Sequence, residues 1–430
     1  MRDNVSAQLT SVQRDHACGV LLGIAAGDAL ATTGSGEWTD HTAMTIPVAE
    51  LAALQADLRR DAVQDRIVER WDWWAATVEP AGAQHPSVVP TAPVALSFLD
   101  DETALAQTAR AISELIRDDP DAGDASVLWC AALRHAVLTG SPDIRSGLGH
   151  LDPDRRARWA QRFDAAEHSP PSAFSADSGG VAAAVQGALS AIGHTPVPDE
   201  LPADEVFRAD HLRLALEAAA GVSAGAAPIA GGLLGATYGA SAVPAEWRLT
   251  LRGWPGLRTR DLIHLADNII GNDDREVFRG HSSTWGKPPL RRHPHDEQVW
   301  IGGVGPLAQP AQYVPAGVDA IVSLCPVADG YLRSAVTHLD VRLAGDGENA
   351  NLDFMLLDTV RAVEQLRGEG RTVFVHSMLG TGRAPAVASL YGARRQGIGI
   401  EEALRAVLEV VPEADIDNVF LAALHRLAAA

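Results

Sequence analysis

The residue pattern of this chain changes character near residue 270, and the change divides it into two parts that must fold differently. From about residue 12 to 270 the chain is rich in Ala and Leu, with apolar residues at helical spacing and few β-branched alternations. After residue 297, short strand patterns alternate with helical patterns. This order predicts a mainly α N-terminal domain and a C-terminal α/β domain with a central, largely parallel sheet flanked by helices.

A polar stretch without periodicity separates the two parts. It contains Pro and Gly and reads NDDREVFRGHSSTWGKPPLRRHPHDE. We interpret it as a linker. The predicted organisation is therefore a helical domain over residues 12–271, a linker over 272–297 and an α/β domain over 298–430, in a chain long enough for two separate cores.

Charge and cysteine content restrict the partners and the compartment. The formal net charge of −20 disfavours nucleic-acid binding because the phosphate backbone would be repelled. The three cysteines are far apart and form no C-x-x-C pair, which is typical of a reducing compartment. No apolar run reaches bilayer length, and the first residues lack a signal-peptide pattern. We expect a cytoplasmic protein that binds neither a membrane nor nucleic acid.

The segment VFVHSMLGTGRAP at 373–385 carries the clearest chemical indication. It predicts a buried strand, a tight Gly-containing loop and the start of a helix, which together turn backbone N–H groups toward an anion. At the end of the loop, the guanidinium of Arg383 can bind two phosphate oxygens at once. The candidate phosphate-binding residues are Met378, Leu379, Gly380, Thr381, Gly382 and Arg383.

His376, Ser377 and Arg383 resemble the H-C-x5-R signature of the protein tyrosine and dual-specificity phosphatases, with a serine in place of the cysteine. The chain is similar to the small dual-specificity type over roughly 297–428. The resemblance implies a cysteine-phosphatase fold, with Ser377 at the nucleophile position and Arg383 on the phosphate. It also implies that Asp346, about thirty residues before the signature, occupies the general-acid position.

The serine changes what this loop can do. An amide cradle at a helix end lowers the pKa of a thiol until it ionises, but a serine hydroxyl needs an adjacent general base. Strand alternation turns the side chain of His376 away from that of Ser377. Ala384 also stands where the phosphatases usually carry the Ser or Thr that helps release the phosphocysteine. We therefore expect phosphate binding without covalent turnover.

Two origins of Ser377 remain open. It is either a laboratory cysteine-to-serine change that traps substrate, or a natural feature of a pseudophosphatase. The alanine at position 384 favours natural loss of the phosphatase chemistry, because a laboratory trapping variant needs only the change at position 377.

The N-terminal part resembles the ADP-ribosylglycohydrolases, an all-helical family with two bound Mg²⁺ ions. Their start reads G-x-x-x-G-D-A-L, followed by W-T-D-D-T-x-M and a helix, and the similarity covers about 15–270 of this chain. The matching residues are Gly23, Gly27, Asp28, Trp38, Thr39, Asp40, Thr42 and Met44.

The resemblance also locates where the family holds its metal ions, and this chain departs from it there. The family supplies ligands from the T-D-D segment and from a D-T-D-T segment before a later helix. Here the first segment reads Thr39-Asp40-His41, and residues 218–232 contain no carboxylate. A pair of Mg²⁺ ions needs several shared carboxylates, so Thr39 and Asp40 are only a remnant. We expect no cofactor, and Asp40 equally fits the N-cap of the following helix.

Taken together, these patterns predict a two-domain, hydrolase-like pseudoenzyme that binds a phosphate ester or an ADP-ribose-type ligand through the loop at 376–383. The ligand would be a phosphate-containing small molecule or a modified protein, and the helical domain would be a scaffold or a metal-independent pocket. One alternative is an active hydrolase, either a phosphatase whose cysteine is replaced by Ser377 or a glycohydrolase with unrecognised ligands. The other is a structural, partner-binding protein with an empty loop.

Overall fold

The computed structural model describes residues 9–78, 88–175, 180–271, 289–327, 331–332, 335–345 and 347–428. Two compact units are present. The first, which we call the helical unit, contains the described residues up to Val197 together with Asp210–Val243 and the described residues from Thr250 to 271. The second, the sheet unit, contains Pro198–Ala209, Pro244–Leu249 and the described residues from 289 onward.

Twelve α-helices are described up to residue 271, with short 3₁₀ turns and a two-stranded ribbon between them. The helices are α1 (Ser11–Thr32), α2 (Asp40–Ala53), α3 (Asp61–Thr77), α4 (Ala92–Ser97), α5 (Glu102–Ile116), α6 (Pro120–Thr139), α7 (Pro153–His168), α8 (Gly180–His194), α9 (Asp210–Ala220), α10 (Ala226–Tyr238), α11 (Ala245–Thr250) and α12 (Thr259–Ile269). The ribbon pairs β1 (Arg252–Gly253) with β2 (Leu257–Arg258) in antiparallel fashion. The helical character predicted for this part is confirmed.

Glycines let α1 and α10 pack backbone against backbone at the centre of the helical unit. A Cβ atom on Gly23 would lie 2.0 Å from the carbonyl oxygen of Gly231, and one on Gly19 would lie 2.1 Å from that of Gly235. Both distances are shorter than any real Cβ contact. Because the earlier glycine of α1 meets the later glycine of α10, the two helices run antiparallel.

Local sequence signals explain where the main helices begin and end. At the start of α1, Thr10 and Gln13 form a reciprocal capping box, with the Thr10 hydroxyl 3.2 Å from the Gln13 amide. At the start of α6, the carboxylate of Asp119 accepts from the Asp121 amide. The same helix ends at Thr139 and is followed by Gly140, whose φ of 71° lies in the left-handed region that glycine adopts without strain.

A five-stranded sheet forms the centre of the sheet unit. Its strands are β3 (Arg291–His293), β4 (Asp296–Gly303), β5 (Ala320–Ser323), β6 (Thr337–Asp340) and β7 (Val373–Ser377). Their order is β3-β4-β7-β5-β6, and every pair is parallel except β3 with β4. The predicted α/β fold with a largely parallel sheet is confirmed.

Five helices accompany this sheet after residue 289 in the described part of the chain. They are α13 (Pro310–Tyr313), α14 (Leu352–Gly368), α15 (Arg383–Gln396), α16 (Ile400–Val410) and α17 (Asn418–Leu427). Every residue of the central strand β7 is buried, as expected for a strand covered on both faces. Phe374 of this strand belongs to a core cluster that includes Tyr313 and Ile321.

Two short segments from within the predicted helical domain are part of the sheet unit. In Pro198–Ala209, the buried ring of Phe207 packs edge-on against Phe354, with centroids 5.7 Å apart. In Pro244–Leu249, the side chain of Arg248 is buried. The sequence did not reveal that these segments belong to the sheet unit, because both lie among helical patterns that continue on either side.

The predicted linker over 272–297 differs from the structure at its C-terminal end. Residues 272–288 lie outside the described residues, whereas 291–293 form β3 and 296–297 begin β4. The polar side chains of these strands form hydrogen bonds inside the sheet unit. The sequence therefore showed no apolar pattern that would have predicted strands here. His293 Nε2 lies 2.9 Å from the Ala388 carbonyl, and Asp296 accepts from the Tyr391 hydroxyl at 2.7 Å.

Among the helices that the structure describes, none is both long enough and apolar enough to cross a membrane.

Candidate functional site

The loop between β7 and α15 depends on the glycine at its tip. Gly380 has a φ of 73°, in the left-handed region that L side chains rarely adopt. A Cβ atom there would also lie 2.4 Å from backbone atoms of Gly302 and Gly303 at the end of β4. The loop is therefore pressed against the neighbouring strand at a point where only glycine fits.

Two carbonyl groups of this loop are bonded to the surrounding framework. The Met378 oxygen accepts from the Val304 amide at 3.3 Å, and the Thr381 oxygen accepts from the Asp415 amide at 2.7 Å. Within the described part of the chain, the amides of four loop residues donate to no protein acceptor. These residues are Met378, Leu379, Thr381 and Gly382. Together with the first turn of α15, they are donors available to an anion.

Ser377 ends β7 and is 2% exposed. Its hydroxyl oxygen accepts from the Gly380 amide at 3.2 Å, as an anion at this position would. A serine hydroxyl ionises only with the help of a base. The histidine next to it in sequence does not supply one, because its imidazole points to the other side of the strand.

His376 lies in a buried hydrogen-bonded chain behind the loop. Its Nε2 is 2.7 Å from the hydroxyl of Ser323, which is in turn 2.8 Å from Nε2 of His338. Its Nδ1 is 3.9 Å from the thiol of Cys325. Burial, with the nearby His338, lowers the pKa of His376 to about 3. The ring is therefore neutral at physiological pH, and it supports the loop through the backbone of Ser377 without bonding to the Ser377 hydroxyl.

Arg383 is oriented by two backbone carbonyls from the segments that follow strands β5 and β6. Its Nη1 donates to the Leu324 oxygen at 3.0 Å and to the Leu343 oxygen at 2.5 Å. Leu324 follows β5, and Leu343 lies three residues after β6. These bonds direct the guanidinium before any ligand arrives, so less side-chain entropy is lost on binding.

The predicted site residues have different outcomes in the structure. Ser377, Gly380 and Arg383 lie in one loop with four other predicted phosphate-binding residues. Asp346, the predicted general acid, lies outside the described residues. Its neighbour Gly345 lies beside the arginine, since a Cβ atom on Gly345 would be 3.7 Å from Cζ of Arg383.

Several groups that shape this loop were not predicted. The backbone groups of Asp415, Leu324 and Leu343 hold it in place, and main-chain atoms give no signal in the sequence. Gly302 and Gly303 could have been noticed, because paired glycines at a strand end indicate a close backbone approach. Ala384 is fully buried directly after the arginine, so the hydroxyl expected there from the phosphatases has no counterpart in its side chain.

In the helical unit, Asp28 organises the predicted metal remnant. Its carboxylate is completely buried and accepts from the amide and hydroxyl of Thr39 at 3.0 and 2.6 Å. It also accepts from the amide and hydroxyl of Thr42 at 2.9 and 2.8 Å. Because α2 begins at Asp40, its N-cap residue is Thr39, and the capping acceptor is Asp28. The N-cap role suggested for Asp40 was therefore wrong by one residue.

The second predicted ligand segment contains no metal-binding side chain near the first. Gly225 lies beside His41, with 4.0 Å between a Cβ position on the glycine and Cε1 of the imidazole. Burial lowers the pKa of His41 and opposes its charged form. Ser223 accepts from the Ala226 amide at the start of α10.

The donor set does not fit two Mg²⁺ ions, because both oxygens of Asp28 already receive hydrogen bonds and no carboxylate stands at 218–226. Across the described residues, no group of three or more His, Cys, Asp or Glu side chains could hold a metal ion. The lack of magnesium binding stays a prediction.

Comparison with known proteins gives a different relative for each part of the chain. The ADP-ribosylglycohydrolase family profile matches residues 9–276. Protein phosphatase Slingshot homolog 3 from Rattus norvegicus is 32% identical over 95 residues, which is 22% of this chain and 14% of that protein. The Homo sapiens homologue is 32% identical over 108 residues, 25% of this chain and 16% of that protein. The chain thus spans less than a fifth of the length of these curated relatives.

Among solved structures, the crystal structure of human DUSP28 matches with a TM-score of 0.31 and 25% identity, covering 33% of this chain and 94% of that one. The matches to the Slingshot homologues indicate a phosphatase-like region in the C-terminal part of the chain, in addition to the region that matches the glycohydrolase profile.

Proposed function

This chain belongs to the ADP-ribosylglycohydrolase family, and we propose that its phosphatase-like region binds a phosphate ester without cleaving it. The observation that carries the proposal is the arrangement of the loop at 376–383. Two of its carbonyls are bonded outward to the framework, four of its amides are open to an anion, and the guanidinium of Arg383 is oriented by two backbone carbonyls.

The geometry supports binding because it supplies both donors and charge. Backbone amides and the positive end of the α15 dipole favour a doubly charged phosphate. A guanidinium adds two parallel, charge-assisted hydrogen bonds to adjacent oxygens. Gly380 allows the loop to adopt this conformation, and the Asp415 amide holds its C-terminal half. These features are independent of the atom at position 377.

The covalent step of a phosphatase has no support in the same loop. The hydroxyl of Ser377 has no base within the described residues, since His376 is neutral and bonded to Ser323. Ala384 provides no hydroxyl to help break down an intermediate. We therefore propose a pseudophosphatase in which Asp346, the predicted general acid, has no phosphoenzyme to act on.

The proposed ligand is a phosphate monoester on a small molecule or a modified protein. An ADP-ribose-type ligand is included, because the family to which the chain belongs is named for that group. The exposed side chain of Leu379, which is 47% accessible at the loop, would contact the organic part of such an ester.

Thermal protection by inorganic phosphate tests this proposal. Millimolar phosphate should raise the melting temperature of the sheet unit, because a ligand that binds only the folded state stabilises it by mass action. The variant Arg383→Ala should lose this protection. Arg394→Ala removes an arginine further along the same helix, where it pairs with Glu364, and should keep it. Absence of protection in the parent protein would refute the proposal.

The second candidate is glycohydrolase activity in the helical unit, favoured by the family match over 9–276. It would require Mg²⁺, for which the described donors do not fit. Calorimetry with Mg²⁺ or Mn²⁺ distinguishes the two: stoichiometric, tight binding would restore this candidate, whereas no heat of binding agrees with our proposal. The variants Thr39→Ala and Asp40→Ala show whether any bound ion is coordinated by these two residues.

A further inference from the structure

A buried arginine from the family-matched stretch contacts the end of strand β6 in the sheet unit. Arg248 belongs to α11, within the residues that match the glycohydrolase family, yet it is part of the sheet unit. Its side chain is 1% exposed, and its Nη2 lies 3.4 Å from the carboxylate of Asp358 on α14. The same carboxylate accepts from the Ala245 amide at 2.9 Å, so α11 is fixed at two points.

The other end of the Arg248 guanidinium reaches the sheet. Nη1 donates to the carbonyl oxygen of Asp340 at 3.1 Å, at the last residue of β6. Losing this bond would leave a buried, charged donor without its acceptor, so the bond fixes the strand end relative to α14.

The segment after β6 leads from this bond to the phosphate site. Arg342 has a φ of 57°, a strained conformation for a residue with a side chain, and it persists only where the surroundings determine it. Its Nε donates to the Asp340 carboxylate at 3.0 Å. The next residue is Leu343, whose carbonyl holds Nη1 of Arg383.

We infer that Arg248 is a positioning residue for Arg383. It fixes the end of β6, and thereby the strained turn whose Leu343 carbonyl directs the phosphate-binding guanidinium. The functional consequence rests on the proposed phosphate site. A residue of the stretch that matches the glycohydrolase family thus helps to position the phosphatase-like loop. Its contacts with β6 and α14 also give a physical reason why Pro244–Leu249 is part of the sheet unit.

Substitutions of Arg248 in the full-length protein test the inference with two readouts. Arg248→Met removes both contacts, and we expect phosphate affinity to fall by roughly tenfold, because small misplacements of a binding group are costly. Arg248→Lys can keep the ion pair with Asp358 but not both bonds at once, so we expect a partial loss of about threefold. Calorimetric titration with inorganic phosphate measures both variants.

Hydrogen exchange gives a readout that does not depend on phosphate. The amide of Val341 is bonded to the Ser323 oxygen at 2.9 Å, and that of Ala344 to the Asn349 side chain at 2.7 Å. In Arg248→Met, exchange should accelerate in the peptide covering 341–345 more than in β4. A merely structural residue would accelerate exchange evenly across the sheet unit.

Arg361→Met is the matched control. Arg361 lies on the same helix as Asp358, but its exposed side chain pairs with Glu205. It should leave both phosphate affinity and exchange at 341–345 unchanged. Unchanged exchange at 341–345 in Arg248→Met, whatever the phosphate affinity, would overturn the inference. If the parent protein binds no phosphate, the proposed function fails, and the exchange result still decides the role of Arg248.

Discussion

At the scale of single residues, the proposed loss of catalysis rests on two side chains, Ser377 and Ala384. The amides and helix end that we propose to bind a phosphate would also lower the pKa of a thiol at position 377. Ser377 is held by the Gly380 amide in the place where such a thiolate would lie. We therefore attribute the proposed loss of covalent chemistry to side chains and not to the backbone.

Restoring the thiol should restore part of the chemistry. We expect Ser377→Cys to hydrolyse an aryl phosphate at least about a hundredfold faster than the parent protein. Asp346→Asn in that background should remove most of the gain, because no acid would protonate the leaving oxygen. An early burst followed by slow turnover is expected from the missing hydroxyl at Ala384. Stopped-flow absorbance measures all three, and an inert Ser377→Cys protein would show that the loop itself cannot support catalysis.

Buried histidines make the stability of the sheet unit depend on pH. Burial lowers the pKa of His376 to about 3 and that of His293 to about 4, from an ordinary value of 6.5. Below pH 6.5 the unfolded state binds protons that the folded state does not, so stability falls as the pH drops. Each histidine contributes up to about 1.4 kcal/mol per pH unit in that window.

This pH dependence can be assigned by substitution. Asp358 acts in the opposite direction, because burial raises its pKa to about 6, so differences between variants are more informative than the total slope. His376→Gln should reduce the slope between pH 6.5 and 4 relative to the parent. Urea unfolding followed by labelling of the buried thiol of Cys325 reports on this unit. An unchanged slope would contradict the neutral, buried state of His376.

At the scale of elements, the pairing of α1 with α10 holds the helical unit together. Gly23→Ala should destabilise it by at least about 2 kcal/mol, because the new methyl group meets the Gly231 carbonyl and the helices must separate. Gly193→Ala in α8 is the control, since that position is open, and it should stabilise by about 0.5–1 kcal/mol. Chemical unfolding monitored by helical circular dichroism measures both, and equal effects would argue against close packing.

The elements also show what the sequence can reveal. The helices up to 271 and the strands β4, β5 and β7 were predictable, because their apolar spacing reflects burial directly. β3 was missed because its polar side chains are bonded inside the unit. The cap of α2 was misassigned because its acceptor, Asp28, comes from a different helix, and such a contact leaves no local pattern.

At the scale of the whole molecule, each compact unit is built from segments that are not consecutive along the chain. The loop at 376–383 was predictable from sequence, since a strand, two glycines and an arginine follow each other directly. The support that Arg248 and Phe207 give to the sheet unit was not, because they are more than 100 residues away in sequence from their partners Asp358 and Phe354. Long-range packing of this kind is set by complementary surfaces rather than by local propensity.

Cutting the chain at the predicted linker should therefore damage the phosphatase-like region. A fragment of residues 289–430 lacks the buried side chains of Phe207 and Arg248, and loss of a buried aromatic residue alone costs about 3–5 kcal/mol. We expect the fragment to be poorly folded, with the thiol of Cys325 reactive, whereas the full-length protein protects it. A fragment with a protected thiol and native-like stability would show that the two segments are dispensable.

The central claim is that the loop holds a phosphate ester without cleaving it, and phosphorus NMR of a simple phosphate monoester tests both halves at once. The account predicts that the ester resonance broadens or shifts with the parent protein, remains unchanged with Arg383→Ala, and gives no inorganic phosphate signal in either sample. Release of inorganic phosphate by the parent protein, or an ester resonance that the parent protein leaves unperturbed, would contradict it.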